Sequence, residues 1–200
     1  MENLEPEILA TLRSKHIMIL DDIAQPEGLN LIIEKFEVYQ DNIVSRRMVS
    51  DTGHSISFDE INVSKTDGWE AVHNFVFSNI QYYTQVYRSY MEIPNYAWPE
   101  EIAYEHCRMK RYLPNGQDRF DEHADVRDHA TARRFLVMFA YLNTVEEGGE
   151  TAFYFNDVII KVSAVAGRII AFPPFWTHPH AGLSPISGNK YIIGSYLHYT

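Results

Sequence analysis

A chain of 200 residues can bury one sizeable core and is short for two. It is 46% hydrophobic and 22% charged, an ordinary soluble globular profile, and its 14% aromatic content suits pleated sheets. With 17 basic and 27 acidic residues the net charge is −10, which disfavours a nucleic-acid partner, and the single Cys107 excludes an internal disulfide or a cysteine-based zinc site.

The start, Met1 to Pro6, shows no basic stretch followed by an apolar core, so no signal peptide is expected. The apolar runs fall short of the about 18 residues needed to cross a membrane. The expectation is a cytoplasmic protein with no membrane partner. His16 to Leu20 reads as a short strand ending in Asp21–Asp22. From Pro26 to Tyr39, Leu29, Ile32, Ile33 and Phe36 fall at helical spacing. Asp67 is placed to cap a long helix, with Glu70 completing a capping box. Trp69, Val72, Val76, Ile80, Tyr83, Tyr87 and Tyr90 then share one face, and Pro94 is expected to stop the helix.

From about Ala103 the texture changes to strands. Glu105 to Tyr112 alternates and runs into the turn Pro114-Asn115-Gly116. Arg134 to Leu142 is almost continuously apolar, as in a strand buried on both faces. After the turn Glu147-Gly148-Gly149-Glu150 come short runs at Ala152–Phe155, Val158–Val162, Arg168–Phe172 and Tyr191–Leu197. Many short strands with turns between them suggest a sandwich or jelly roll, with first-half helices packed outside.

Three places could carry chemistry. In His123-Ala124-Asp125, residues two apart on a strand would face the same side and could share an ion, although this pattern is common by chance. A second imidazole is available at His178 or His180, within Phe172 to Gly182. Two imidazoles and a carboxylate on one face of a metal leave the opposite positions open. That suits ferrous iron binding a co-substrate and O₂ together, and zinc can use the same ligands. Lys190 follows Gly188-Asn189 and precedes an apolar strand. Turned inward it needs an anionic partner, such as the C5 carboxylate of 2-oxoglutarate; at a strand edge it would sit in solvent.

Together these residues resemble the prolyl 4-hydroxylase branch of the iron(II)/2-oxoglutarate-dependent oxygenases. The order runs Tyr112, His123/Asp125, Tyr141-Leu142-Asn143, Gly148-Gly149-Glu150-Thr151 and Gly167 to Phe172. It ends with His180-Ala181-Gly182, Pro185, Gly188-Asn189-Lys190 and Tyr196-Leu197-His198. The likeness covers Tyr104 to the C-terminus. It departs at Gly116, which follows Tyr112 by four residues where the family has three.

The resemblance selects His180 over His178, since the family's distal ligand stands two residues before Gly and ten before the lysine (190 − 180 = 10). It implies catalytic metal ligands His123, Asp125 and His180, with Lys190 and Tyr112 on the co-substrate. It implies Fe(II), 2-oxoglutarate and O₂, with ascorbate as reductant, and release of succinate and CO₂. Tyr196 is read as core. The implied fold is mainly β with flanking helices (α+β), around a double-stranded β-helix (jelly roll, cupin-like). One domain is expected over residues 1–200, with 1–102 supporting a core at 103–200. The implied activity is hydroxylation of an unactivated C–H bond, with a prolyl residue in a peptide as first candidate substrate and a free amino acid or other small molecule next. The alternative is a metal-binding cupin-like protein without oxygenase activity, which needs neither Lys190 nor Tyr112. Arg46, Arg47, Arg127 and Trp176 are the candidate substrate contacts.

Overall fold

The computed structural model describes residues 5–21, 23–51 and 53–200. Met1–Leu4 and Asp22, which entered the readings of the N-terminus and of the first strand's end, lie outside the described residues.

Helix α1 (Pro6–Ser14) opens on a proline, whose fixed φ suits a first turn. His16, at φ 58°, turns the chain back into strand β1 (Met18–Leu20). Helix α2 (Pro26–Val38) buries Leu29, Ile32 and Phe36, the face its spacing predicts. Strands β2 (Val44–Val49) and β3 (Ser55–Asn62) form an antiparallel pair.

Helix α3 (Glu70–Tyr90) buries Val76, Ile80, Thr84 and Tyr87, with Val72, Tyr83 and Tyr90 packed partly against the same cluster. Its start differs from the expected capping box. Trp69 stands at the cap without a side-chain capping bond, and Asp67 is exposed in the preceding turn. Gly68, at φ +79°, carries the chain through that turn, and its N–H donates to the Glu70 carboxylate at 3.0 Å. Burial of Trp69 therefore sets where the helix begins. The helix also ends before Pro94 can act: Glu92, at φ 55°, has already turned the chain.

The remaining strands are β4 (Ile102–Tyr104), β5 (Arg108–Tyr112), β6 (Arg119–His123), β7 (Arg134–Tyr141) and β8 (Thr151–Tyr154). They continue with β9 (Ile159–Val162), β10 (Ile169–Phe172), β11 (His180–Gly182) and β12 (Lys190–Tyr199). Among the described residues all twelve strands join one curled antiparallel sheet, in the order β1-β10-β7-β12-β5-β3-β6-β11-β8-β9, with β2 on β3 and β4 on β12. The mainly β, jelly-roll-like architecture is thus as expected. The strand content does not begin at residue 103, however, because β3 lies in the sheet beside β5 and β6.

Period-two alternation divides the core. On β7, Leu136, Met138 and Ala140 face the helices α2 and α3, while Val137 and Tyr141 face the inside of the curl. On β12, Tyr191, Ile193 and Leu197 face the helices, and Ile192 and Tyr196 face inward. β7 is therefore covered on both faces, which explains its unbroken apolar run. Arg168, 3% exposed, donates from Nε and Nη2 to Asp21 (2.7 and 2.9 Å) and so ties the first half to the start of β10.

Candidate active site

The sheet brings His123 and His180 together by register. They are directly opposed on β6 and β11, with ring centroids 4.3 Å apart. Each ring is oriented from behind: His123 Nδ1 bonds the Asp121 carbonyl at 2.8 Å and His180 Nδ1 bonds the His178 carbonyl at 3.0 Å. A carbonyl only accepts, so each Nδ1 carries a proton, and each Nε2 is turned toward Asp125. Phe120 stacks on His123 at 3.5 Å, and Phe172 meets the His180 ring edge-on at 4.7 Å.

Asp125 completes the cluster by a different route from the one strand alternation suggests. β6 ends at His123, and Asp125 lies in the bend beyond it. Its N–H donates to the Pro174 carbonyl at 3.0 Å, and its own carbonyl accepts from Arg134 Nη1 at 3.1 Å. The side chain then reaches both imidazoles: Oδ1 is 3.5 Å from His123 Nε2 and Oδ2 is 3.4 Å from His180 Nε2.

The three side chains each offer a ligand atom within 4.8 Å of the others. Asp125 Oδ2 is buried and accepts no hydrogen bond, an orphan acceptor that a cation would satisfy. Burial by itself would raise the Asp125 carboxyl. The two imidazoles and the Tyr196 hydroxyl outweigh it and hold the group below the usual carboxylate range. Burial pushes His180 down to about 4, against the pull of Asp125, so this imidazole stays neutral and available as a ligand. A 2-His-1-carboxylate donor set of this kind fits ferrous iron.

Lys190 is 2% exposed and opposes Tyr112 across β12 and β5. Its ammonium donates to the Leu183 carbonyl at 3.2 Å and lies 4.3 Å from the Tyr112 ring centre. Burial pushes it down to about 7. Gly182 marks the shared floor: a Cβ there would lie 3.6 Å from Lys190 Nζ and 3.8 Å from Tyr112 Oη. Lys190, Tyr112 and the three candidate ligands line one cavity. Gly116, at φ +71°, closes the turn after β5, and the extra residue there leaves Tyr112 facing inward.

The structure also answers for residues that sequence reasoning left open. His178 is turned away from the cluster. Its Nε2 bonds the Lys15 carbonyl at 2.6 Å and its Nδ1 meets Thr177 Oγ1 at 2.9 Å, so it latches the loop to the end of α1. Arg46 is engaged by Glu60, and Arg47 by Asp59 and Asp118. Arg127 and Trp176 are exposed, and none of these four lines the cavity.

Two further side chains stand beside the cluster, Tyr196 also packing against the core as read. Tyr196, read as core, donates to Asp125 Oδ1 at 2.6 Å under the Arg134 guanidinium, which is 3.8 Å above its ring. Arg134 is held by Glu105 (2.5 and 3.0 Å), which also bonds His198 Nε2 at 2.6 Å. Lys110 is the second feature, a further lysine lining the same cavity. Its place two residues before Tyr112 on a strand was the available signal.

The curled, jelly-roll-like sheet thus carries a His-Asp-His cluster that could hold a metal ion. A family model described as the 2OG-Fe(II) oxygenase superfamily matches residues 107–198, which include every residue of the cluster. That stretch, just under half of the chain, is similar to the 2-oxoglutarate-dependent dioxygenases. No curated protein matches the sequence.

Among solved structures, a prolyl hydroxylase from Trichoplax adhaerens, in complex with a hypoxia-inducible-factor oxygen-degradation-domain peptide fragment, superposes with a TM-score of 0.69. It shares 14% identity over 96% of this chain and 87% of that one. The viral collagen prolyl hydroxylase of Paramecium Bursaria Chlorella virus-1, in its 2OG complex, gives 0.65 at 21% identity over 93% and 97%. A Pseudomonas putida prolyl-4-hydroxylase gives 0.64 at 16% over 96% and 97%. At these identities the likeness establishes a prolyl 4-hydroxylase-like fold. Among the described residues no helix is long and apolar enough to cross a membrane.

Proposed function

We propose that His123, Asp125 and His180 hold iron(II), that Lys190 and Tyr112 hold the far carboxylate of 2-oxoglutarate, and that the chain hydroxylates an unactivated C–H bond. The observation that carries this reading is the shared cavity: an orphan carboxylate oxygen between two imidazoles at one end, a buried lysine beside a tyrosine at the other. A metal-binding protein without oxygenase activity has no use for that second end.

When bound, iron, 2-oxoglutarate and O₂ together supply the oxidising power, yielding succinate, CO₂ and a hydroxylated product. The residues do the rest. Asp125 and the two imidazoles fill one side of the metal and leave the other for reactants. Lys190 gives the co-substrate carboxylate a charge-assisted partner, and Tyr112 supplies a second donor. Phe120, Val137, Phe139 and Phe172 line the cavity and keep water from it. Ascorbate is the reductant to test, and a peptide prolyl residue is a first substrate, since a fold neighbour was solved with a peptide.

The test is direct. Adding 2-oxoglutarate to the iron(II)-loaded protein without O₂ should give a visible absorbance band in the wild type. His123→Ala, Asp125→Ala and His180→Ala should lose both iron binding and succinate release with O₂. Full succinate release by all three variants would sink the metal assignment.

A further inference from the structure

Lys110 leaves the same face of β5 as Tyr112 and lines the cavity that contains His123, Asp125, His180 and Lys190. Among the described residues its ammonium has no hydrogen-bond or ion-pair partner. Its neighbours are ring faces: Nζ lies 4.6 Å from the Phe58 centroid and 5.7 Å from that of Phe120, the ring stacked on His123.

The carboxylate opposite Lys110 in the sheet, Glu60, is already occupied. Its Oε1 accepts from Arg46 and Arg108. Three cations thus share one carboxylate, and the one nearest the metal cluster is left without an anion. Burial pushes the Lys110 ammonium down from its ordinary value, with Glu60 and Asp125 opposing, so an arriving anion would relieve a cost already present.

The oxygenase reading assigns the co-substrate carboxylate to Lys190 and Tyr112, which leaves Lys110 with no part in that task. It also lines an adjoining cavity with Glu105, His106, Arg108 and Tyr196, and so stands where a second molecule would approach the metal.

We propose that Lys110 is a substrate-binding residue that takes a carboxylate of the molecule to be hydroxylated. Because Lys110 and the metal cluster share one cavity, the carboxylate and the reacting C–H bond are a few bonds apart. The substrate class is therefore a free carboxylic acid of amino-acid size rather than an interior residue of a peptide. This rests on the oxygenase reading above and replaces the peptide prolyl residue named there as first substrate with a free acid.

The experiment compares the common L-amino acids with their carboxamides as probes. Binding is followed by saturation-transfer NMR on the protein loaded with iron(II) and 2-oxoglutarate without O₂. At least one free acid should bind where its amide does not. Lys110→Met should weaken that acid about tenfold or more, and Lys110→Arg should restore it in part. The 2-oxoglutarate absorbance band should survive in Lys110→Met, which also shows that the variant folds.

Equal binding of acids and amides, no binding by any acid, or unchanged acid binding in Lys110→Met overturns the proposal. So does loss of the band in Lys110→Met, which would make Lys110 a co-substrate residue. The same acid-against-amide comparison on metal-free protein decides the role of Lys110 even if the wild type shows no band, so the two readings fail separately.

Discussion

Lys190 is the residue whose electrostatics can be read most directly. Burial leaves its amine at about 7 in the free protein, far below an exposed lysine. A bound carboxylate favours the ammonium, so above that pH binding must take up a proton. The affinity for 2-oxoglutarate should weaken as pH rises from about 7, by up to about tenfold per pH unit. Calorimetry without O₂, in buffers of different ionisation enthalpy, should show the proton entering, and Lys190→Met should abolish the effect. A pH-independent affinity in the wild type would contradict it.

Tyr196 makes a second prediction at this scale. Tyr196→Phe removes the bond to Asp125 Oδ1 while keeping the ring under Arg134. Groups that orient a ligand typically affect metal binding by about 10- to 100-fold, so iron affinity should fall by that order with little change in melting temperature. The sequence could name the candidate ligands because their order along the chain is distinctive. It left Tyr196 without a role, because what a strand tyrosine touches depends on what the neighbouring elements place beside it.

At the scale of elements, register decides what meets what. β12 carries Lys190, Ile192, Gly194 and Tyr196 on its inner face, and Gly194 is there because β7 passes against it. A Cβ at Gly194 would stand 2.3 Å from the Met138 carbonyl oxygen and 2.5 Å from Phe139 Cβ. Gly194→Ala should therefore destabilise the fold by about 2 kcal/mol or more, seen as a lower thermal or urea midpoint. No change in midpoint would mean that the two strands give way easily.

Strand existence was legible from alternation and turn residues, and the faces of α2 and α3 from their spacing. Boundaries were not. α3 starts where Trp69 is buried rather than where Asp67 offers a cap, and β6 stops two residues before Asp125 because the Pro174 carbonyl captures the Asp125 N–H. Both outcomes come from contacts between segments distant in sequence, which a local pattern does not contain.

For the whole molecule, the first half is more than a support. β3 pairs with β2, β5 and β6, so it holds the strand bearing Tyr112 and Lys110 beside the strand bearing His123. Helices α2 and α3 cover the outward face of β7 and β12. A fragment of residues 103–200 alone should lack a cooperative unfolding transition, and far-UV circular dichroism during heating checks this. A sharp transition would show that the second half folds unaided. The family motifs begin near Tyr104, so the sequence pointed only to support from outside the core and not to β3 within the sheet, because β3 contributes pairing rather than motif residues.

The opposition of His123 and His180 across β6 and β11 has one more consequence. Side chains alternate along a strand, so sliding β11 by a single residue would put Ala181 opposite His123 and swing His180 to the other face. A chain misaligned in this way loses the pair of imidazoles altogether. Whatever ion the pair takes is accepted only by the correctly aligned chain, and by mass action it holds that alignment in place. A metal bound there would act as a stitch between two seams of the sheet, and a misthreaded chain would have no such site to load.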